Sequence, residues 1–264
     1  MTISDLADAN EFSRAAGWNQ TLEDWHMLVD LSPQGCFGIE IDGKLVATTT
    51  VVCYETQLAW IGMVLTKAEY RGRGFARRLL AHALEYADSL QIKTVKLDAT
   101  EQGRLLYEKF GFHSEQPVER WSRSGGASAF SAASKAGMSG NPLDLDREAF
   151  AANRAPLLKA LAARSGVYQS SSGFLLTRSG RTTHYLGPCV ASDWKTAHKL
   201  LTQALSKTQD ASWSWDLLPE NNEAVALAKE FEFSPQRHLT RMVRGQPLRG
   251  NERMIYAIAG FELG

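Results

Sequence analysis

Cysteine is scarce in this 264-residue chain: there are three, Cys36, Cys53 and Cys189, far apart and in no CxxC pair. That scarcity argues against a disulfide framework or a thiolate metal cage, and a reducing cytoplasm is the compartment that fits. The six histidines form no HExxH or other recognisable ligand spacing, so no metal is expected. Neither sign of charge is in excess, since 29 Lys and Arg balance 29 Asp and Glu. The chain therefore lacks the broad positive field that draws nucleic acid or an anionic membrane. Long apolar runs are missing too. No segment approaches the roughly 20 apolar residues of a membrane span. Asp5, Asp8, Glu11, Glu23 and Asp24 interrupt the region where a signal peptide would need an unbroken apolar stretch.

What remains is a globular composition, 44% hydrophobic and 22% charged, on a chain long enough for two domains. From Arg123 to Gly140 little stands but Ser, Gly and Ala, which has too little apolar surface to pack. This predicts a first domain over 1–122, a linker over 123–142 and a second domain over 143–264. In the first, Thr21 and Asp24 have the spacing of an acidic capping box and open a helix through Trp25, Leu28 and Val29. Asp42-Gly43 divides two apolar runs as a hairpin turn does. A strand over Trp60 to Thr66 runs into a glycine turn, after which Phe75, Leu79, Leu80, Ala83, Leu84, Ala87 and Leu90 recur at helical spacing. Val95 and Leu97 alternate with polar neighbours as a strand, and a short helix lined by Leu105, Leu106 and Phe110 ends at Gly111 in a left-handed cap.

The second half repeats this order: a helix through Leu157, Leu158 and Leu161, a hairpin about Ser179-Gly180, a helix from Asp193 to Leu205, a strand at Trp213 to Leu217 and a helix at Ala224 to Phe231. The interval from hairpin glycine to long helix is shorter than in the first half, which predicts a divergent, shortened copy lacking one strand.

Chemistry concentrates in Arg71-Gly72-Arg73-Gly74-Phe75-Ala76. Glycines where a strand turns into a helix leave successive backbone N–H groups uncovered, and the helix N-terminus adds unpaired donors and a positive dipole end. A pyrophosphate is a natural ligand for such a turn; a turn chosen only for its backbone angles is the competing explanation. The spacing is neither GxxxxGK[ST] nor a complete GxGxxG. It matches the R/Q-x-x-G-x-G/A signature of the GNAT acetyltransferases as Arg71-x-x-Gly74-x-Ala76. The strand Ile61-Gly62-Met63-Val64-Leu65-Thr66 before it, and the segments Leu97 to Thr100 and Gly103 to Phe112 after it, resemble that family as well. The resemblance covers Ala16 to Trp121. The tandem layout and the ending Ala259 to Gly264 resemble a bacterial subgroup with a divergent second GNAT-like domain.

The resemblance implies an α/β fold on a mixed sheet, with two parallel strands splayed about the pantetheine arm of acetyl-coenzyme A. Val64, Leu65 and Thr66 would bond the arm through their backbones, and the amides of Gly72, Arg73, Gly74, Phe75, Ala76 and Arg77, with Arg71, would hold the pyrophosphate. It also implies that Tyr107 protonates the departing thiolate. Where many family members carry asparagine, seven positions before this tyrosine, the chain has Thr100, a weaker cofactor candidate. Arg104 lies three residues before Tyr107 and could reach a phosphate or the acceptor, or be a solvated helix arginine. For the general base Asp98 is the candidate, with Glu55 and Glu69 as alternatives and a structural role competing. Trp25 and Trp60 are candidate acceptor contacts, or core.

The second half has Gly187-Pro188-Cys189-Val190-Ala191-Ser192-Asp193-Trp194 where the glycine turn should be, and Glu232 where the first half has Gly111. It is expected to form a lid, an acceptor-side wall or a homodimer contact, not a second active site. The leading expectation is one acetyl transfer site for a small-molecule amine; a non-catalytic acyl-coenzyme A sensor and a protein lysine or N-terminal acetyltransferase are the alternatives.

Overall fold

A computed structural model describes residues 1–125, 141–206 and 211–264. The first half runs α1 (Leu6–Ala15), α2 (Leu22–Leu31), β1 (Cys36–Ile41), β2 (Lys44–Tyr54), β3 (Leu58–Thr66), α3 (Phe75–Ser89), β4 (Thr94–Ala99), α4 (Glu101–Glu108) and β5 (His113–Arg123). Local chemistry sets several boundaries. The Thr21 hydroxyl accepts the Asp24 N–H, and the Asp24 carboxylate accepts the Thr21 N–H, which closes the capping box on α2. Asp42 and Gly43 both have positive φ, as a tight hairpin between β1 and β2 requires. Gly111 follows α4 with a left-handed φ of 82°.

The second half runs α5 (Asn141–Phe150), α6 (Ala155–Ala162), β6 (Gly166–Ser170), β7 (Gly173–Ser179), β8 (His184–Ala191), α7 (Trp194–Leu205), β9 (Trp213–Leu217), α8 (Asn222–Glu230) and β10 (Ser234–Gly245), followed by the short β11 (Ile255–Ala257). Up to β10 the match is element for element, so the strand expected to be missing is present. The hairpin at Ser179-Gly180 joins β7 to β8. The counterpart of the Asp42-Gly43 turn lies earlier, at Ser171-Ser172, where no glycine marks it. Of the expected linker, residues 126–140 lie outside the described residues. Its edges are structured: β5 extends to Arg123, and Asn141 and Pro142 open α5.

All these strands join one sheet in the order β1-β2-β3-β4-β10-β5-β9-β8-β7-β6, with β11 paired to β8. The pairs β3–β4 and β8–β9 are parallel and the others antiparallel. The two halves exchange their last long strands. β10 lies between β4 and β5, while β5 lies beside β9, so each half completes its sheet with the other's strand.

Matched ion pairs sit on both exchanged strands. Arg241 of β10 stands opposite Asp98 of β4 and donates through Nε and Nη2 at 2.9 and 3.0 Å. Arg120 of β5 stands opposite Asp216 of β9 and donates to both its oxygens at 2.6 Å. Each arginine also lies over an aromatic ring one strand beyond its aspartate, Arg241 over Trp60 of β3 and Arg120 over Tyr185 of β8.

The cores follow the exchange. Met242 of β10 joins Val51, Ile61, Leu80, Leu84 and Leu97 beneath α3. Trp121 of β5 joins Leu186, Leu201, Trp215 and Leu227 in the second half. A third core at the junction holds Leu6, Trp25, Trp60, Phe150, Leu158, Phe174, Ile258 and Leu263. The halves therefore share buried apolar surface as well as hydrogen bonds. No helix among the described residues is long and apolar enough to cross a membrane.

Candidate active site

The glycine turn links β3 to α3. Gly72 and Gly74 take φ of 77° and 79°, and a Cβ at either would meet nothing within 4 Å. Backbone conformation, not crowding, requires glycine there. Gly74 is the N-cap of α3 and brings no side chain to its first amides. The N–H groups of Phe75, Ala76 and Arg77 consequently point out of an uncapped helix end, where anions are stabilised. Arg71 holds the turn to the strand by donating from Nε to the Thr66 carbonyl at 3.2 Å. Arg73 donates to the Glu69 carbonyl and lies over the Tyr70 ring.

Beside the turn the sheet opens. β3 and β4 pair only from Leu58–Thr94 to Trp60–Lys96, after which β3 continues through Val64, Leu65 and Thr66 with no pairing to β4. A bulge sits on the free stretch: Thr48 pairs with Leu65 and Thr50 with Gly62, so Met63 and Val64 stand against the single residue Thr49. Met63 takes a φ of 50°, and the Thr48 hydroxyl donates to its carbonyl at 2.8 Å. The Thr49 hydroxyl donates to the Gly62 carbonyl at 3.3 Å. The only sequence trace of this device is the run Thr48-Thr49-Thr50 inside an apolar strand. Free backbone groups along β3 and free amides at α3 form one continuous edge, which suits an extended chain ending in phosphates.

Tyr107 lies on the far side of the opening, on α4. It is buried, packs edge-on against Phe112, and its hydroxyl bonds none of the described residues. Burial pushes its pKa up to about 12, so the phenol keeps its proton at neutral pH.

The other expected site residues are engaged elsewhere. Asp98 is fully buried in its pair with Arg241; desolvation raises its pKa and the guanidinium opposes that rise. It locks the strand exchange. The Thr100 hydroxyl accepts the Gly103 N–H and caps α4. Arg104 pairs with Glu101 at 3.0 Å and Glu108 at 3.8 Å on its own helix. Glu55 accepts from Asn153, and Glu69 is exposed. Trp25 and Trp60 are both fully buried in the junction core. The Trp25 indole donates to the Ser13 hydroxyl and that of Trp60 to the Phe261 carbonyl, so both are committed to packing. The three cysteines are free, and burial raises Cys36 and Cys53 to about 11. No group of metal-ligating side chains occurs among the described residues.

In the second half the same place is closed. Asp193 caps α7, accepting the Thr196 N–H at 2.9 Å and placing a carboxylate where the first half presents bare amides. β8 and β9 also part, after Leu186–Trp215, but β11 lies in the gap. Ile258 donates its N–H to the Asp216 carbonyl, and the Trp215 indole donates to the Tyr256 carbonyl. The counterpart of Tyr107 is Ala228, whose carbonyl accepts the Phe233 N–H as that of Tyr107 accepts the Phe112 N–H.

Comparison with known proteins agrees with this geometry. Residues 2–112 match the acetyltransferase (GNAT) family, and residues 143–257 match an acetyltransferase (GNAT) domain. The chain is 25% identical over 275 residues to a holothin acyltransferase of Pseudoalteromonas sp. (strain SANK 73390), covering 100% of this chain and 92% of that protein. A solved structure of a candidate acetyltransferase from Pyrococcus horikoshii has a TM-score of 0.87 at 24% identity, covering 100% of this chain and 94% of that one. A tandem GNAT protein from the clavulanic acid biosynthesis pathway has a TM-score of 0.59 at 14% identity, covering 93% and 95%. These two structures are like this chain in fold. Two family matches along one chain, on a sheet whose halves repeat strand for strand, make this protein a member of the GNAT acetyltransferase family with two GNAT domains in tandem.

Proposed function

We propose that the first half binds acetyl-coenzyme A and passes its acetyl group to a primary amine of a small molecule by direct transfer in a ternary complex. The observation that carries this reading is the unpaired edge of β3 running into the uncapped, glycine-built N-terminus of α3. Val64, Leu65 and Thr66 would hold the pantetheine arm through their backbones. The amides from Gly72 to Arg77, with Arg71 bracing the turn, would hold the pyrophosphate. Acetyl-coenzyme A would supply an activated thioester.

The chemistry asked of the protein is proton management around one substitution. The amine nitrogen forms a bond to the acetyl carbon, the carbon–sulfur bond breaks, and the sulfur leaves with the electron pair. Tyr107 would return a proton to that sulfur, while the nitrogen gives up a proton to solvent or a nearby base. The burial that raises the phenol raises a thiolate leaving into the same cleft, which keeps donor and acceptor matched. Asp98, locked against Arg241, is not free to take that proton.

Thiol release from acetyl-coenzyme A, measured with and without a panel of amines, tests the reading. Amine-dependent release supports it, and cofactor binding with no release for any amine would point instead to the sensor reading. Tyr107→Phe should keep cofactor affinity and lose turnover.

A further inference from the structure

A second recess lies where the two halves meet, beside the C-terminal segment that packs on β3. Asn19, Gln20, Asp24, Arg120, Arg178 and Glu262 line it, around a void of about 10 Å³, room for one water or one ammonium group. Most of its charged groups are already satisfied. Arg120 donates from Nε and Nη2 to Asp216. Arg178 donates to the carbonyls of Gly187 and Ala259 at 2.9 and 2.7 Å. One Asp24 oxygen takes Arg164, and the other takes the Thr21 N–H and hydroxyl.

Two acceptor oxygens remain. Gln20 Oε1 and Glu262 Oε2 are buried with no donor among the described residues, and both residues are more than nine-tenths buried. Native structures rarely leave such atoms without partners, so two together on one recess call for a donor between them, a water or the N–H group of a ligand that displaces it. A carboxylate and an amide oxygen select a cationic or neutral N–H group over an anion.

The route by which Glu262 reaches the recess ties it to the transfer site. The segment 259–264 folds into a turn, with Leu263 and Gly264 donating to the Gly260 carbonyl. Tyr54 donates to the Leu263 carbonyl and Trp60 to the Phe261 carbonyl, which presses the turn against β2 and β3. A Cβ at Gly62 would stand 2.8 Å from the Glu262 carbonyl oxygen, so only glycine lets the segment lie this close. Gly62 adjoins Met63, where the β3 bulge begins.

We propose that this interdomain recess seats the acceptor's ammonium group, with Glu262 as the carboxylate that receives it and Gln20 as its second acceptor. The inference rests on the acetyltransferase reading and adds the acceptor class: a small, cationic primary amine. It also assigns the C-terminal segment of the second half a role in the first half's chemistry. Burial raises the Glu262 carboxyl, a rise that Asp24 reinforces and that Arg178 and Arg120 oppose.

The test is steady-state kinetics on the full chain with ethanolamine, tyramine and histamine as acceptors. Glu262→Gln should raise the KM for the amine by about 10- to 100-fold while the KM for acetyl-coenzyme A stays within twofold. Should that variant fail to fold, Ser179→Trp, at an exposed position on the rim of the recess, should raise the amine KM at least 10-fold with the same indifference to acetyl-coenzyme A. Wild-type turnover with the amine KM unchanged in the folded variants would overturn the acceptor assignment alone. A wild-type protein that binds acetyl-coenzyme A and releases no thiol with any amine would overturn the acetyltransferase reading, and the assignment with it.

Discussion

The two halves share an element order and differ at three places in one cleft. Gly74 begins α3 where Asp193 begins α7; Tyr107 stands where the second half has Ala228; and the edge that β3 leaves open is, on β8, covered by β11. None of these differences touches the alternation of apolar residues that builds a core. The fold is carried by positions that face inward, whereas the proposed cofactor site rests on a few positions at a helix start and a strand edge. One can be lost without the other.

The comparison can be broken most sharply at the chemistry. Tyr107→Phe should lower turnover by roughly 10²- to 10⁴-fold, the usual worth of a positioned acid, with cofactor affinity unchanged by calorimetry. Tyr256→Phe, the aromatic hydroxyl of the second cleft, should leave turnover within about twofold, because its partner Glu223 lies outside the transfer site. Equal losses in the two variants would end the claim of a single site per chain.

The strand exchange predicts symmetry where function predicts none. Arg241→Met and Arg120→Met should each destabilise by about 3–5 kcal/mol, because each leaves a buried aspartate without its counter-charge. Urea unfolding would measure both. A loss below about 1 kcal/mol at either pair would show that it does not hold its exchanged strand.

A smaller effect separates the two helix starts. Gly74→Ala should cost about 1–2 kcal/mol of left-handed strain and raise the KM for acetyl-coenzyme A about tenfold. Asp193→Gly should not create a second site, because β11 still fills the gap, so titration calorimetry should give one cofactor per chain in both the variant and the wild type. Two per chain would show that the cap alone excludes cofactor.

The pH profile follows from the raised phenol. Tyr107 is protonated below its pKa of about 12 and loses its proton only above it. Turnover should therefore rise as the amine deprotonates and show no alkaline loss up to about pH 10. A fall between pH 7 and 9 would assign the acid to another group. The smallest effect concerns Glu232, which takes a φ of 64° where the first half has Gly111. Glu232→Gly should relieve about 1 kcal/mol of strain and raise Tm by about 2 to 4 °C in a scanning experiment.

Several features were legible because they are local. The Thr21–Asp24 capping box, the Asp42-Gly43 turn, the Gly111 cap and the glycine turn each depend on backbone angles or hydrogen bonds within a few residues, and sequence spacing reports those directly. The repeat was legible for the same reason, through helical periodicity. The turn at Ser171-Ser172 was not, since two serines carry no obligatory backbone signal, and its omission produced the expectation of a missing strand. Asp98 illustrates the opposite limit. A carboxylate at the end of a strand beside a cofactor cleft reads as a base until Arg241, 143 residues away, is placed against it.

The sequence by itself determined where the capped helices begin, that one half has a glycine turn between a strand and a helix, and that the other lacks it. Only the tertiary structure decided that the halves trade β5 and β10, that Trp25 and Trp60 serve the junction core, and that Glu262 lies against Gly62 of β3. The physical reason is range. Capping, turn chemistry and periodicity act over a few residues, whereas strand order, buried ion pairs and orphaned acceptors depend on which distant segments are brought within a few ångströms when apolar surface is buried.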